Sequence, residues 1–91
     1  MSRVATAAVA VLRDTGNHSV MWGDTGLLHL IAKRAELRSQ DRAWKTENAV
    51  LQALSRHPGE LVARYTTVRI RGARRVVRIF HLPEHVPKEK L

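Results

Sequence analysis

The hydrophobic period of the chain changes once, at Leu61, and this change restricts the fold more than any other feature. Before it, apolar residues recur at helical spacing; from 61 to 82 they alternate. Val68 and Ile70 alternate with Arg69 and Arg71, Gly72 and Ala73 intervene, and Val77 and Ile79 alternate with Arg78 and Phe80. Alternation at period two marks a strand with one covered face, and a two-residue Gly-X link between two such runs signals a type II′ hairpin. Helices followed by one hairpin make an α+β fold, and 91 residues suffice for one small domain.

The alternating stretch also concentrates charge. The chain carries 16 Lys plus Arg against 8 Asp plus Glu, a net charge of +8. Arg64, Arg69, Arg71, Arg74, Arg75 and Arg78 fall between Leu61 and Leu82 with no acidic residue among them. With Gly72 and Ala73 as the turn, Arg71 faces Arg74, Arg69 faces Val76, Val68 faces Val77 and Thr67 faces Arg78. Arg69, Arg71, Arg74 and Arg78 then share one surface with Thr67, while Val68 and Val77 point the other way, toward the core. Like charges directly opposite each other destabilise a sheet by up to ~1 kcal/mol per pair. A hairpin selected only to fold would gain from Glu or Thr at one of these positions. Charge can also guard an exposed strand edge, but mixed signs serve that purpose equally well. Arginines held together without counter-charges point to an external polyanion, and the guanidinium fork matches phosphate.

Upstream, the spacing predicts a first helix at about residues 3–14, apolar nearly all round and stopped by Gly16. A brief strand is expected within 18–22. A second helix is expected from Thr25 to about Leu37, with Asp24 and Thr25 offering side-chain oxygens to its free amides. Leu27, Leu28, Leu30, Ile31 and Ala35 fall on one side of it, and His29, Lys33 and Glu36 opposite. Residues 38–45 read as a connection. A third helix is expected over about 46–57, ended by Pro58 and Gly59, with an apolar face of Val50, Leu51 and Leu54 that Trp44 extends if the helix starts early. The opposite face carries Lys45, Asn48, Gln52 and Arg56, amide and cationic groups of the kind that read base edges. Trp22 and Trp44 adjoin apolar segments and are expected in the core. Residues 83–91, with two prolines and mixed charges, read as a loose tail.

Several function classes find no support in the residues. The chain has no cysteine, so no disulfide framework can form and a zinc site would lack thiolates. Residues 7–12, the longest apolar run, fall far short of the ~20 needed to cross a bilayer, and no secretory signal pattern is present. His81 and His85 are four apart, but Pro83 between them opposes a helix that would align the rings. The turn at Gly23, Asp24, Thr25 and Gly26 lacks the lysine and hydroxyl of a phosphate loop. His18, His29 and His57 belong to no triad pattern, and no paired carboxylates occur. A non-enzymatic protein without metal or cofactor is expected, cytoplasmic and nucleoid-associated, or nuclear in a eukaryote. Besides the two tryptophans, the aromatics are Tyr65 and Phe80, both expected on hairpin strands; a stacking surface for single strands usually needs several exposed aromatics, so duplex is favoured over single strands.

The order helix, short strand, helix, helix, hairpin, with cations on the third helix and the hairpin, resembles the winged-helix (winged helix-turn-helix) DNA-binding domains. The resemblance covers residues 3–82 and implies a winged-helix domain at 1–82 with a flexible tail at 83–91. It implies a double-stranded DNA-binding protein, a transcriptional regulator or an architectural factor. Lys45, Asn48, Gln52 and Arg56 on the third helix would face the major groove, and Arg69, Arg71, Arg74, Arg75 and Arg78 on the wing would grip the backbone. The connection at 38–45 is longer than a simple helix-turn-helix turn. With Asp41 as cap, Arg42 and Lys45 would enter the first turn, near incoming phosphates. Besides duplex DNA, a homodimer partner, structured RNA and, as the alternative function, an acidic protein docked by the same fold within a larger assembly remain open.

Overall fold

Ser2 and Gly16 bound the first helix from either side in the computed structural model, which describes residues 2–38 and 41–86. In α1 (Arg3–Thr15) the Ser2 hydroxyl accepts from the Ala5 amide at 3.3 Å, satisfying one of the free N–H groups of the first turn. Gly16 adopts φ 71°, the left-handed conformation that glycine enters without a Cβ penalty. Its amide donates to Arg13 O, and the Asn17 amide reaches Leu12 O at 2.9 Å, a Schellman closure. The alanines among Val4, Ala5, Ala7, Ala8, Val11 and Leu12 keep the buried side of α1 thin. Backbone therefore comes close to it: a Cβ at Gly59 would stand 3.0 Å from Ala5 Cβ.

The chain continues through β1 (Ser19–Met21), α2 (Thr25–Arg34), α3 (Ala43–Arg56), β2 (Val62–Ile70) and β3 (Ala73–His81), then a 3-10 turn at Pro83–His85. The fold is α+β: three mutually packed helices and a three-stranded antiparallel sheet of order β1-β3-β2. β1 stitches the N-terminal half to the hairpin by pairing Val20 with Phe80. Phe80, Val20, Leu12, Leu28, Ile31 and Leu54 are fully buried where the sheet meets the helices. Each such side chain contributes about 1.5–3 kcal/mol relative to exposure.

Two helix boundaries and two expected caps differ from expectation. α2 ends at Arg34 rather than near Leu37, because Glu36 turns left-handed at φ 57°. The Glu36 and Leu37 amides then close onto Lys33 O and Ala32 O, a Schellman motif without its glycine. Asp24 does not cap α2; its carboxylate accepts from the Met21 amide at 2.9 Å and tightens the preceding turn. Thr25 instead donates toward Glu47 at 3.4 Å. α3 begins at Ala43, earlier than 46, but Asp41 is not its cap: Arg42 holds that position without a side-chain bond, and Asp41 pairs with Lys45 at 3.0 Å. Leu30, expected on the covered side of α2, is 47% exposed, while Ala32 is buried in its place.

Beyond the hairpin, Leu82 is buried and its amide donates to His18 O at 2.9 Å. Glu84 pairs with Arg13 on α1 at 3.1 Å, and its carboxyl lies below the usual range through a backbone hydrogen bond and then that cation. The His18 and His85 rings stack at 3.7 Å. Contacts thus continue past residue 82 as far as His85, and residues 87–91 of the expected tail lie outside the described residues.

Candidate nucleic-acid interface

A buried aromatic at the base of the hairpin sets the register, and the register sets which arginines stand together. Phe80 lies opposite Ala63 and Val20, a large side chain between two smaller ones. The expected register would have placed Phe80 against Tyr65. The observed one slides by two positions and moves the turn to Arg71 and Gly72, at φ 51° and 80°. Positive φ at both loop residues is a type I′ turn rather than the expected type II′.

A two-position slide preserves strand faces, so part of the expected clustering survives. Outward from Ala63 and Phe80, the same face carries Tyr65 opposite Arg78, Thr67 opposite Val76, and Arg69 opposite Arg74. Arg71 leaves that face for the turn, so three arginines share the surface instead of four. Arg75 lies on the other face, opposite Val68. Val68 and Val77 do alternate away from Arg69, Arg74 and Arg78, but toward the outer side of the sheet; the core lies on the side of those three, where Phe80 inserts. Hairpin residues 64–70 and 73–79 add nothing to the buried apolar cluster of the described residues. At ~3.3 Å per residue the ribbon projects roughly 23 Å from the core.

Ile70 and Ala73 close the turn as the hydrogen-bonded pair, which makes Arg69 and Arg74 the next, non-hydrogen-bonded pair, the site where facing side chains come closest. Both are exposed. Arg69, Arg71, Arg74 and Arg75 have no hydrogen bond or ion pair among the described residues. Four acidic groups are paired elsewhere: Asp14 with Arg34 at 3.6 Å, Glu84 with Arg13, Asp41 with Lys45, and Glu47 with His29 at 3.2 Å.

Arg78 behaves differently from its neighbours. Its Nη1 donates to Ser55 O at 3.2 Å, one of the last carbonyls of α3, which lack intrahelical partners. The guanidinium also lies 5.3 Å from the Tyr65 ring centroid. It joins the hairpin to the C-terminal end of α3, which makes it a positioning residue more than a free backbone contact.

On α3, the pattern Thr46, Val50, Leu54 turns inward, and Glu47 is drawn to α2 by His29. Asn48, Gln52 and Arg56 are exposed on the opposite side, as expected, and Arg42 is exposed at the N-terminus. Lys45 is half-buried, and its charge is partly offset by Asp41. Trp44, expected in the core, is 55% exposed, and Trp22, with the same expectation, is 45% exposed. α3 does start early, at Ala43, yet Trp44 does not extend the apolar face: at helical spacing it falls at the boundary between Leu51 and Asn48, and its ring stays in solvent. Tyr65 and Val76, at 68% and 69% exposure, flank the arginines on the hairpin. Sequence reasoning did not place these three residues on the surface; the register would have revealed the last two, and the position of Trp44 at the edge of the helix's apolar face the first.

Other surfaces offer less chemistry. No group of three or more His, Asp or Glu suited to a metal occurs among the described residues, and none of their helices is long and apolar enough to cross a membrane. A depression at the C-terminal ends of α1 and α2, lined by Val11, Asp14, Leu30, Lys33 and Glu36, mixes charges of both signs and contains none of the hairpin arginines. The His81 ring is buried with Nδ1 unpartnered among the described residues; burial first, then the Arg64 cation, lower its pKa. No family model, curated protein or solved structure matches the chain.

Proposed function

We propose that this chain is a winged-helix protein that binds double-stranded DNA, with α3 against the base edges of the major groove and the β2–β3 hairpin along the phosphate backbone. The observation that carries this reading is the Arg69–Arg74 pair, two exposed arginines directly opposite each other across the hairpin with no acidic partner among the described residues. Such a pair opposes folding. A phosphate strand laid between them reverses the sign of the interaction and accepts the paired donors of each fork.

Arg71 supports the same reading. A type I′ turn favours Asn or Gly at its first position, yet an arginine occupies it with φ 51°. A cation kept at a strained tip suggests a contact made with its side chain. On α3, Asn48 and Gln52 have the paired donor and acceptor that match adenine, and Arg56 has the fork that matches guanine. The protein would act in transcriptional control or a related DNA transaction, without chemistry of its own.

The test is the salt dependence of binding to duplex DNA. With Arg42, Arg69, Arg71, Arg74 and Arg75 on phosphates, log affinity should fall against log salt with a slope of about −4.5. The double substitution Arg69→Gln, Arg74→Gln should weaken binding to all sequences alike and flatten the slope by about 2, while folding is retained or improved because the like-charge pair is gone. An unchanged slope refutes the wing assignment. Asn48→Ala or Gln52→Ala should instead cost about 1–3 kcal/mol at a preferred site and little elsewhere. Equal losses on every sequence refute the role given to α3.

A further inference from the structure

Two aromatic rings are largely exposed beside cations: Tyr65 on the hairpin face of Arg69, Arg74 and Arg78, and Trp44 at the edge of the polar stripe of α3, with Lys45 Nζ 5.8 Å from its ring centroid. Trp44 is 55% and Tyr65 68% exposed. Trp44 and Ser55 are eleven residues apart on α3, three turns plus about 20°, so they share one edge of the helix at a spacing of about 17 Å. Ser55 O holds the Arg78 guanidinium, and Arg78 lies against Tyr65. Trp44, Asn48, Ser55, Arg78 and Tyr65 thus form one line from the start of α3 to the base of the hairpin.

We infer that this line takes DNA with unpaired bases, at a junction between duplex and single strand, with Tyr65 and Trp44 as stacking platforms. The inference rests on the reading of this face as a DNA site. Intact duplex offers base edges in its grooves and hides base faces in the stack, so an exposed ring finds a π partner only where the stack ends. Tyr65 is prepared for that role. Arg78 lies 5.3 Å from its ring centroid and is anchored by the helix carbonyl, while the ring stays largely in solvent, where a base could complete a cation–ring–base sandwich. Val76, next along the same face, offers an apolar contact to sugar. The arginine pair farther out grips the adjoining duplex, where phosphates are densest.

Fluorescence anisotropy with a blunt duplex, the same duplex bearing a single-stranded extension, and the extension alone tests this. The extended duplex should bind more tightly than the blunt one. Tyr65→Ala and Trp44→Ala should each remove about 5- to 150-fold of affinity for the extended duplex while barely changing the blunt one. Tyr65→Phe and Trp44→Phe should restore most of the loss, since both keep a ring. In a Trp22→Phe background the remaining Trp44 emission should be quenched by the extended duplex and not by the blunt one. Equal affinity for both duplexes, or a preference that survives both alanine substitutions, overturns the junction inference and leaves the duplex reading standing. Absence of binding to any of the three probes overturns both.

Discussion

Replacing Arg71 by Asn should make the protein more stable and a weaker DNA binder at once. Arg71 occupies the first loop position of the β2–β3 turn at φ 51°, followed by Gly72 at φ 80°. An ordinary L residue in the left-handed region costs about 1–2 kcal/mol, and Asn recovers part of this because its short amide bonds to the local backbone. The expected gain is about 0.5–1 kcal/mol, or roughly 2–8 °C in Tm for a domain of this size. Relief of repulsion from Arg69 and Arg74 adds at most a few tenths of a kcal/mol between exposed groups. The backbone contribution therefore dominates, and two controls separate it. In ~1 M salt, where screening acts within about 3 Å, the gain should persist. Arg71→Ala removes the same charge but keeps a Cβ residue at positive φ, so it should yield little. Thermal melts of the three proteins, read beside a salt titration of duplex binding, supply both measurements. Binding by Arg71→Asn should lose about one unit of slope. Equal stabilisation by Ala and Asn, or a gain abolished by salt, would refute the strain argument.

Three further outcomes follow from other sites. Glu36→Gly at the end of α2 should raise stability by about 0.5–1 kcal/mol, read from the urea midpoint, because the closing motif there runs through a left-handed glutamate. Gly59→Ala should cost about 1–3 kcal/mol, since it combines φ 59° with a Cβ placed 3.0 Å from Ala5 Cβ; an unchanged melting temperature would contradict the close packing of that turn on α1. Burial and the Arg64 cation keep the pKa of His81 low, so the unfolded chain takes up this proton more readily than the folded one. Stability should be intact above about pH 6.5 and decline as pH falls below it, and His81→Gln should flatten that part of the profile.

Much of the architecture was legible because it depends on local rules. Gly16 is a stop signal whatever surrounds it, and α1 ends at Thr15 beside it. Alternation from Leu61 onward announces two strands because side chains of a strand must point to opposite faces. The face shared by Arg69, Arg74 and Arg78 could be recognised despite a wrong register, since a slide of two positions returns every side chain to its own side. The polar stripe of Asn48, Gln52 and Arg56 followed from helical spacing alone.

Other features depended on contacts between distant segments. No local rule stops α2 at Arg34; the chain turns there through Glu36, a residue with no propensity to do so, while Ala35 is buried in the core. Asp24 has the chemistry of a cap, but the turn before it claimed the carboxylate first. The side of the hairpin that meets the core was decided by Phe80, which fits against Ala63 and Val20 from three separate strands. That choice put Arg69, Arg74 and Arg78 on the core side of the sheet and let Arg78 reach Ser55 O. Trp44 is hydrophobic enough for a core, but it sits at the boundary of the apolar face of α3, and packing left its ring uncovered. Periodicity and charge are properties of a segment and can be read in one dimension. Which face is buried, and what stands beside it, is a property of packing, and three-dimensional complementarity alone selects it.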